Sequence, residues 1–246
     1  MKDAQYIKGL PLFDGLTCDE AQKVGFAVIE RYYQEKQMVF SDNEKVEYVY
    51  LIREGRVKLF RQTEDGRENI IAILGPGDVF GDFIFGEDSC HTMFAEAFGS
   101  ASLCFLPHKK FMQMLMEYPG IALKIIRNIG KRLSQTAYFI ENLSTYNIKV
   151  RFGKLLLYLA SEHRDTAAAN AVLEIKLTHQ DMASMVATCR QTITELVGQF
   201  KQEGFVSYQG RQLVVHHSNL SAWLDSQSVD SQKRASRLGG RDCVVS

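Results

Sequence analysis

Short apolar runs separated by turn-forming residues fill the first third of the chain. Four of these runs, rich in β-branched and aromatic residues, lie at 46–53, 55–60, 68–74 and 101–106. Between them stand Asp65-Gly66, a strong hairpin signal, and a Gly-Pro-Gly-Asp turn at 75–78. Many short strands at this spacing predict an antiparallel barrel, sandwich or roll.

From residue 119 the spacing of the apolar residues becomes helical. One seam advances in alternating steps of four and three residues through Ala122, Ile126, Ile129, Leu133, Thr136, Ile140 and Leu143. This is the heptad spacing by which two helices wind around each other, so it predicts a dimerisation helix over residues 119–146. The predicted dimer contacts are Ile126, Ile129, Leu133, Thr136, Ile140 and Leu143. The alternative is one amphipathic helix that packs on its own domain.

A second helical pattern, which follows a predicted loop at 164–171, is typical of a helix-turn-helix. Thr178 followed three residues later by Asp181 resembles a capping box, which starts a helix. A tight turn at 187–189 separates that helix from a second one, and two strands follow between 204 and 216. The predicted inner faces of the two helices are formed by Met182, Ala183, Val186, Ile193, Leu196, Val197 and Phe200. Helix, turn, helix and hairpin together predict a winged helix-turn-helix.

The start of the second helix carries side chains that can bind DNA. Residues at this end of a recognition helix meet base edges in the major groove. Arginine can pair with guanine, glutamine can pair with adenine, and glutamate can accept from cytosine. The predicted base-reading residues are Arg190, Gln191, Thr194 and Glu195, and the predicted phosphate contacts are Thr188 and Thr192. The alternative is a helical hairpin that binds no nucleic acid.

Composition narrows the chemistry of the chain. Its 246 residues include 29 Lys or Arg and 29 Asp or Glu, so the formal net charge is zero. Any DNA binding must therefore come from a local surface rather than from an overall positive charge. No apolar run of signal-peptide or membrane-spanning length is present, which predicts a cytoplasmic protein. The five cysteines are widely spaced without a CxxC pair, so no metal site is predicted. No P-loop, nucleophile elbow, HExxH or Rossmann motif is present, so the sequence does not predict an enzyme.

Taken in order, these segments resemble the catabolite-activator and fumarate–nitrate-regulator (CRP/FNR) family of bacterial transcription regulators. The resemblance covers residues 10–218 and is most specific at 51–60, 75–85 and 177–206. It implies an α+β fold with a double-stranded β-roll of the jelly-roll-like, cyclic-nucleotide-binding type, a long dimerisation helix and a C-terminal winged helix-turn-helix. It also implies a homodimer that binds palindromic promoter DNA, responds to a small-molecule effector and contacts RNA polymerase. The expected domains are 1–118 for effector binding, 119–146 for dimerisation, 147–225 for DNA binding and a flexible tail at 226–246.

The expected effector site departs from the pattern of cyclic-AMP receptors. Those receptors carry Gly-Glu-Leu and then Arg-Ser in the phosphate-binding segment, whereas this chain has Gly81-Asp82-Phe83 and then His91-Thr92. A histidine cannot reproduce the paired, charge-assisted bonds of an arginine to a cyclic phosphate. Thr136 matches a threonine that contacts adenine in those receptors, but Ala137 replaces the serine that follows it. The resemblance therefore implies a small-molecule effector other than cyclic AMP, bound at Gly81, Asp82, Phe83, His91, Thr92, Arg132 and Thr136.

Other branches of the family leave the identity of the effector open. Cys18 stands alone where the oxygen sensors have clustered cysteines, and Cys90-His91 is a poor match to the haem ligands of the carbon monoxide sensors. Residues 144–147 with Arg151 are locally similar to the regulators of reductive dehalogenation, which bind chlorinated phenols. That similarity implies an aromatic or anionic effector held by aromatic rings and a cation.

The candidates for that pocket are Phe83, Phe85, Phe94, Tyr138, Phe139, Lys131, Arg132 and His91. The alternative is that these aromatic residues belong to the core and that the cations are solvated. The alternative function is a redox-, metal- or haem-responsive transcription switch that uses cysteine or histidine.

Overall fold

The computed structural model describes residues 3–82, 89–161, 170–172, 177–210 and 212–238. The chain divides into two compact units, Met1–Tyr138 and Phe139–Ser246. Phe83 and Phe85 of the predicted effector site lie outside the described residues, as do residues 239–246 of the predicted tail.

Two four-stranded antiparallel sheets form the first unit. One has the strand order β1-β8-β3-β6 and the other has the order β2-β7-β4-β5. The strands are β1 Ile29–Tyr33, β2 Met38–Phe40, β3 Tyr48–Glu54, β4 Val57–Gln62, β5 Glu68–Leu74, β6 Val79–Phe80, β7 Phe94–Ala97 and β8 Ala101–Pro107. This arrangement confirms the predicted roll, and the hairpin expected at Asp65-Gly66 joins β4 to β5.

Strand β3 shows why the apolar runs at this position are continuous rather than alternating. Successive side chains of a strand point to opposite faces. Val49 and Leu51 face a core shared with the helices of this unit, whereas Tyr50 and Ile52 face a second core that lies among the strands. Because both faces are buried, the four consecutive positions from 49 to 52 are all apolar or aromatic.

Glycine is required at the turn between β3 and β4. Gly55 has φ of +77°, and a Cβ at this position would lie 2.1 Å from the Ser100 carbonyl oxygen. Gly66 has the same φ of +77°, but a Cβ there would meet nothing within 4 Å. The first turn is therefore constrained by both backbone angle and space, and the second by backbone angle alone.

The helices of the first unit pack against the β1-β8-β3-β6 sheet. They are α1 Ala4–Lys8, α2 Cys18–Gly25, α3 His108–Glu117 and α4 Pro119–Thr145, the last of which continues into the second unit. Pro119 begins α4, as expected for a residue that has no amide hydrogen to satisfy. Ile121 and Ile125 anchor the first turns of α4 in the core.

The second unit is a small three-stranded sheet with helices. It contains α5 Ile148–Ser161, β9 Asn170–Val172, α6 His179–Met185, α7 Arg190–Gln202, β10 Val206–Gln209, β11 Gln212–His216 and α8 His217–Leu238. The sheet order is β10-β11-β9. Phe152, Phe200, Phe205 and Trp223 form a chain of ring contacts between 5.2 and 5.7 Å that fixes α5, α7 and α8 around one core.

Two parts of the second unit differ from the sequence-based expectation. The end of the loop expected at 164–171 belongs instead to β9, which pairs with β11. Residues 226–238 are expected to belong to a flexible tail, but α8 continues through them. Leu220 and Leu224 are buried and anchor the first turns of α8 in the core. Once a helix is anchored, it extends at little cost in free energy through residues of high helix propensity such as Gln, Lys, Arg and Ala.

Candidate functional site

The first helix of the predicted DNA-binding motif begins at a complete capping box. The Thr178 side chain accepts from the Asp181 amide at 3.1 Å, and the Asp181 carboxylate accepts from the Thr178 amide at 2.9 Å. Two backbone donors at the start of α6 are thereby satisfied. Met182, Ala183 and Val186 are buried as predicted, so α6 presents its apolar face to the core.

The turn between α6 and α7 fixes where the second helix starts. Ala187 has φ of +52°, a left-handed conformation that is uncommon for a residue other than glycine. Cys189 then caps α7, and Arg190 is its first residue. The predicted inner face is confirmed, because Ile193, Leu196, Val197 and Phe200 are all buried.

The opposite face of α7 carries the predicted base-reading side chains. Arg190, Gln191, Thr194 and Glu195 are all exposed. The Gln191 amide donates to the Glu195 carboxylate at 3.3 Å, one helical turn away. This surface therefore offers a guanidinium, an amide and a carboxylate at the N-terminal end of a helix, which are the groups that distinguish base edges in the major groove.

Thr194 has partners that the sequence does not reveal. Its hydroxyl lies 2.8 Å from Nδ1 of His179 on α6 and donates to the Arg190 carbonyl oxygen at 2.9 Å. The contact with His179 joins the start of α6 to α7. Thr194 therefore lies on the predicted surface with its hydroxyl already engaged, and His179 is a positioning residue that sequence reasoning missed, because its partner lies 15 positions away.

The predicted phosphate contacts surround the start of α7. Thr188 and Thr192 are partly exposed on either side of the cap residue Cys189. The Thr192 hydroxyl lies 3.2 Å from the Cys189 sulfur. Together with backbone N–H groups at this helix end, the Thr192 hydroxyl lowers the pKa of Cys189 below its usual value.

The heptad seam of α4 is largely exposed in the single chain. Leu133 retains 70% of its surface, Ile126 63% and Ile140 61%. Ile129, Thr136 and Leu143 are exposed as well, and the Thr136 hydroxyl donates to the Arg132 carbonyl oxygen. The seam thus does not pack on its own domain within the described residues, contrary to the alternative of a single amphipathic helix.

Part of the predicted effector site comes together around Asp82. Its carboxylate accepts from the Thr92 amide at 2.9 Å, lies 3.2 Å from Nδ1 of His91 and accepts from the Thr92 hydroxyl at 3.3 Å. Gly81 precedes it with φ of +106°, and a Cβ there would lie 3.1 Å from the Tyr50 ring. Asp82, His91 and Thr92 therefore form one hydrogen-bonded group at a turn that requires glycine.

His91 points into the core. It is 1% exposed and stacks on Phe40 with ring centroids 3.6 Å apart. Burial lowers the pKa of His91 below its usual value, and the Asp82 carboxylate opposes this shift without cancelling it. The Nε2 atom of His91 has no hydrogen-bond partner among the described residues. A neutral histidine fixed in this way offers no positive charge to a phosphate group.

Arg132 contacts a different carboxylate. Its Nη2 atom lies 3.4 Å from Oδ1 of Asp78, and Asn128 donates to the same oxygen at 3.2 Å. Asp78 belongs to the turn between β5 and β6, where its Oδ2 accepts from the Gly75 amide at 2.9 Å. The structure thus connects Arg132 to Asp78, a residue that the sequence-based site did not include.

The aromatic pocket suggested for a phenolic effector is not assembled among the described side chains. Phe94 stacks on Phe60 with centroids 5.2 Å apart, and Tyr138 is exposed on α4. The Phe139 side chain lies outside the described side chains. Within the described part of the chain, no three His, Cys, Asp or Glu side chains are grouped to hold a metal ion, and no helix is long and apolar enough to cross a membrane.

Two domain-family models match the chain: one covers the sheets and the predicted effector site, and the other covers the predicted DNA-binding motif. The cyclic nucleotide-binding domain model matches residues 30–118, and the Crp-like helix-turn-helix domain model matches residues 150–221. The first range contains the sheets and the Asp82–His91 group, and the second contains α6, α7 and the β10–β11 hairpin.

Known proteins match across both regions. The Global nitrogen regulator of Nostoc sp. is 28% identical over 193 residues, which cover 78% of this chain and 86% of that protein. The structure of a CooA mutant from Carboxydothermus hydrogenoformans has a TM-score of 0.68 at 24% identity and covers 81% of this chain and 88% of the other. A structure of CprK complexed with OCPA has a TM-score of 0.62 at 16% identity over 80% and 90% of the two chains, a likeness of fold alone.

Proposed function

Because the chain belongs to the CRP/FNR family of DNA-binding transcription regulators, we propose that it acts as a homodimer whose affinity for promoter DNA is set by a small molecule other than cyclic AMP. The observation that carries this proposal is the exposed start of α7, where Arg190, Gln191 and Glu195 stand on one face. RNA polymerase is the further partner expected of a regulator that acts at promoters.

The three side chains have separate roles in reading DNA. Arg190 is suited to bidentate pairing with guanine, Gln191 to adenine and Glu195 to the amino group of cytosine. Thr188 and Thr192 are suited to contact phosphates beside the N-terminus of α7. Thr194 contributes to specificity by holding α7 against α6 through His179, since its hydroxyl is already engaged.

Pairing along the α4 seam supplies the two-fold symmetry that this reading mode needs. Large apolar side chains at Ile126, Leu133 and Ile140 are left exposed at heptad spacing, and a second copy of the same helix offers a complementary surface. Two recognition helices related by such an axis enter successive major grooves about 34 Å apart. The operator is therefore a palindrome with half-sites one helical turn apart.

The Asp82–His91 group argues against cyclic AMP as the effector. A cyclic phosphate at this position would face the Asp82 carboxylate and a buried histidine whose pKa is lowered, without a guanidinium to neutralise it. The effector instead interacts with the cation on α4, Arg132. Only a molecule that binds one dimer geometry better than another can regulate DNA affinity.

Thermal-shift screening followed by DNA binding tests this proposal. Cyclic nucleotides, haem, 2-oxoglutarate and halogenated phenols are compared on the purified full chain, and each stabilising compound is added to a titration of labelled promoter DNA. We expect a compound other than cyclic AMP both to stabilise the protein and to change its DNA affinity. Selective stabilisation by cyclic AMP with tighter DNA binding would contradict the effector assignment, and DNA binding that no compound changes would contradict gating.

A redox-responsive switch is the second candidate function. It is favoured by Cys189, which has an exposed thiol with a lowered pKa and stands at the N-cap position of α7, next to Arg190. Oxidation at this position would change charge and shape where the helix meets phosphate. DNA affinity is compared before and after mild peroxide treatment in wild type, Cys189→Ser and the control Cys18→Ser. Equal affinities of reduced and oxidised wild type exclude the redox switch.

A further inference from the structure

The hydrogen bond between His179 and Thr194 fixes which nitrogen of the histidine ring carries a hydrogen. The Thr194 hydroxyl has a single hydrogen, which it donates to the Arg190 carbonyl oxygen at 2.9 Å. Its oxygen must therefore accept the second bond, the 2.8 Å contact with Nδ1 of His179. It follows that Nδ1 is the nitrogen that donates, because a committed partner on one ring nitrogen sets the tautomer of a histidine.

The other ring nitrogen, Nε2, determines how His179 can meet DNA. Nε2 makes no hydrogen bond among the described residues. With Nδ1–H fixed, a neutral ring presents Nε2 as a bare acceptor, whereas a protonated ring presents it as a charged N–H donor. The oxygens of a backbone phosphate only accept hydrogen bonds. The neutral ring therefore opposes a phosphate contact, and the protonated ring makes a charge-assisted one.

His179 stands at the edge of the predicted DNA-binding surface. It is the first residue of α6 and is partly exposed, and its partner Thr194 lies on the exposed face of α7 that carries Arg190. In a helix-turn-helix the first helix crosses the DNA backbone while the second helix enters the major groove. The bond to Thr194 thus holds the imidazole beside the surface that a backbone phosphate approaches.

We propose that DNA binding by this protein is coupled to protonation of His179, so that each bound subunit takes up one proton from the buffer and donates Nε2–H to a backbone phosphate. The inference rests on the proposed function and adds pH to the conditions that control it. Histidine changes charge between about pH 5 and 8. Because the DNA-bound state favours the charged ring, the added affinity is complete at the acidic end of this range and is lost as pH rises through it.

Charged and titratable groups on both helices surround this position. Asp181 follows His179 on α6, where its carboxylate is committed to the capping box. Cys189, Arg190 and Glu195 lie at the cap and in the first two turns of α7. Cys189 can imitate the coupling, because its pKa lies below the usual value and a thiolate beside DNA also weakens binding as pH rises. The test must therefore separate the histidine from the thiol.

The pH dependence of DNA affinity tests the coupling. Phosphate contacts do not depend on base sequence, so a labelled duplex of mixed sequence serves as the probe. The full chain is titrated into it by fluorescence anisotropy between about pH 6 and 8, at a constant ionic strength of about 0.05 M. Wild type is compared with His179→Gln, which cannot be protonated, and with His179→Lys, which keeps a positive charge. His217→Gln removes another histidine of the same unit as the matched control, and Cys189→Ser removes the thiol.

We expect wild type, His217→Gln and Cys189→Ser to lose affinity as pH rises, by about tenfold for each bound subunit, because a nearby opposite charge favours a protonated ring by about this factor. His179→Gln should bind as weakly at pH 6 as wild type does at pH 8, and His179→Lys should bind tightly at both.

The coupling is wrong if His179→Gln keeps the wild-type pH dependence, or if Cys189→Ser abolishes it. Wild-type binding that does not change with pH rejects the coupling alone and leaves the proposed function standing. Failure to bind the duplex at any pH rejects the proposed function and the coupling together.

Discussion

Leu133→Glu is the substitution that tests the α4 seam most sharply. Leu133 is 70% exposed in the single chain, so most of its side chain remains available for burial by a second copy. Burying a complete leucine side chain is worth about 1.5–3 kcal/mol, which gives about 2–4 kcal/mol for the two copies of Leu133 in a dimer. Glutamate removes this contribution and places two carboxylates at facing positions, where burial adds a further penalty.

We expect the dimer to weaken by about 3 kcal/mol or more, which is about a 150-fold increase in its dissociation constant. Sedimentation velocity over a range of protein concentrations measures this constant directly. Ser134→Glu is the matched control, because Ser134 is exposed on the same helix but lies off the seam. If Leu133→Glu and Ser134→Glu dimerise with the same affinity as wild type, the seam does not form the dimer contact.

Three further predictions follow from named contacts. Arg190→Ala should weaken specific DNA binding by about 1–3 kcal/mol and relax selectivity at one base pair, as measured by gel shift on single-base operator variants; unchanged selectivity would contradict its base-reading role. Burial lowers the pKa of His91 below 6.5, so the unfolded chain takes up a proton first and stability should fall as pH drops below that value. His91→Asn should reduce this loss in pH-dependent melting, whereas an identical pH profile would contradict the buried, neutral assignment. Gly55→Ala should cost more than about 3 kcal/mol in urea unfolding and Gly66→Ala only about 1–2 kcal/mol, because only the first adds a collision to the strain of positive φ; equal costs would contradict the close approach of Ser100.

The parts of the fold that could be predicted are those with a local signal. The capping box at Thr178 and Asp181 depends on residues three apart, and the inner face of α7 follows from helical spacing alone. Four strands of the first unit, β3, β4, β5 and β8, are recognisable because short apolar runs alternate with glycine-containing turns. In each case the signal comes from residues that lie close together in the sequence.

The parts that could not be predicted depend on partners far apart in the sequence. Strand β9 exists because Val172 pairs with Val214, a register that nothing near residue 172 indicates. The environment of His91 is set by Phe40, which stacks on it from strand β2. The pairing of Arg132 with Asp78 joins residues more than 50 positions apart, so the sequence identified the cation but not its counter-ion.

Selection of DNA from a random pool tests the central claim most directly. The purified full chain, with and without the compound identified by thermal shift, is incubated with random duplexes, and the retained sequences are determined. The account predicts inverted half-sites whose centres lie about 10 base pairs apart, with preferences that change at one symmetric pair of positions in Arg190→Ala. Retention of unrelated sequences, or of a single site without two-fold symmetry, would contradict it.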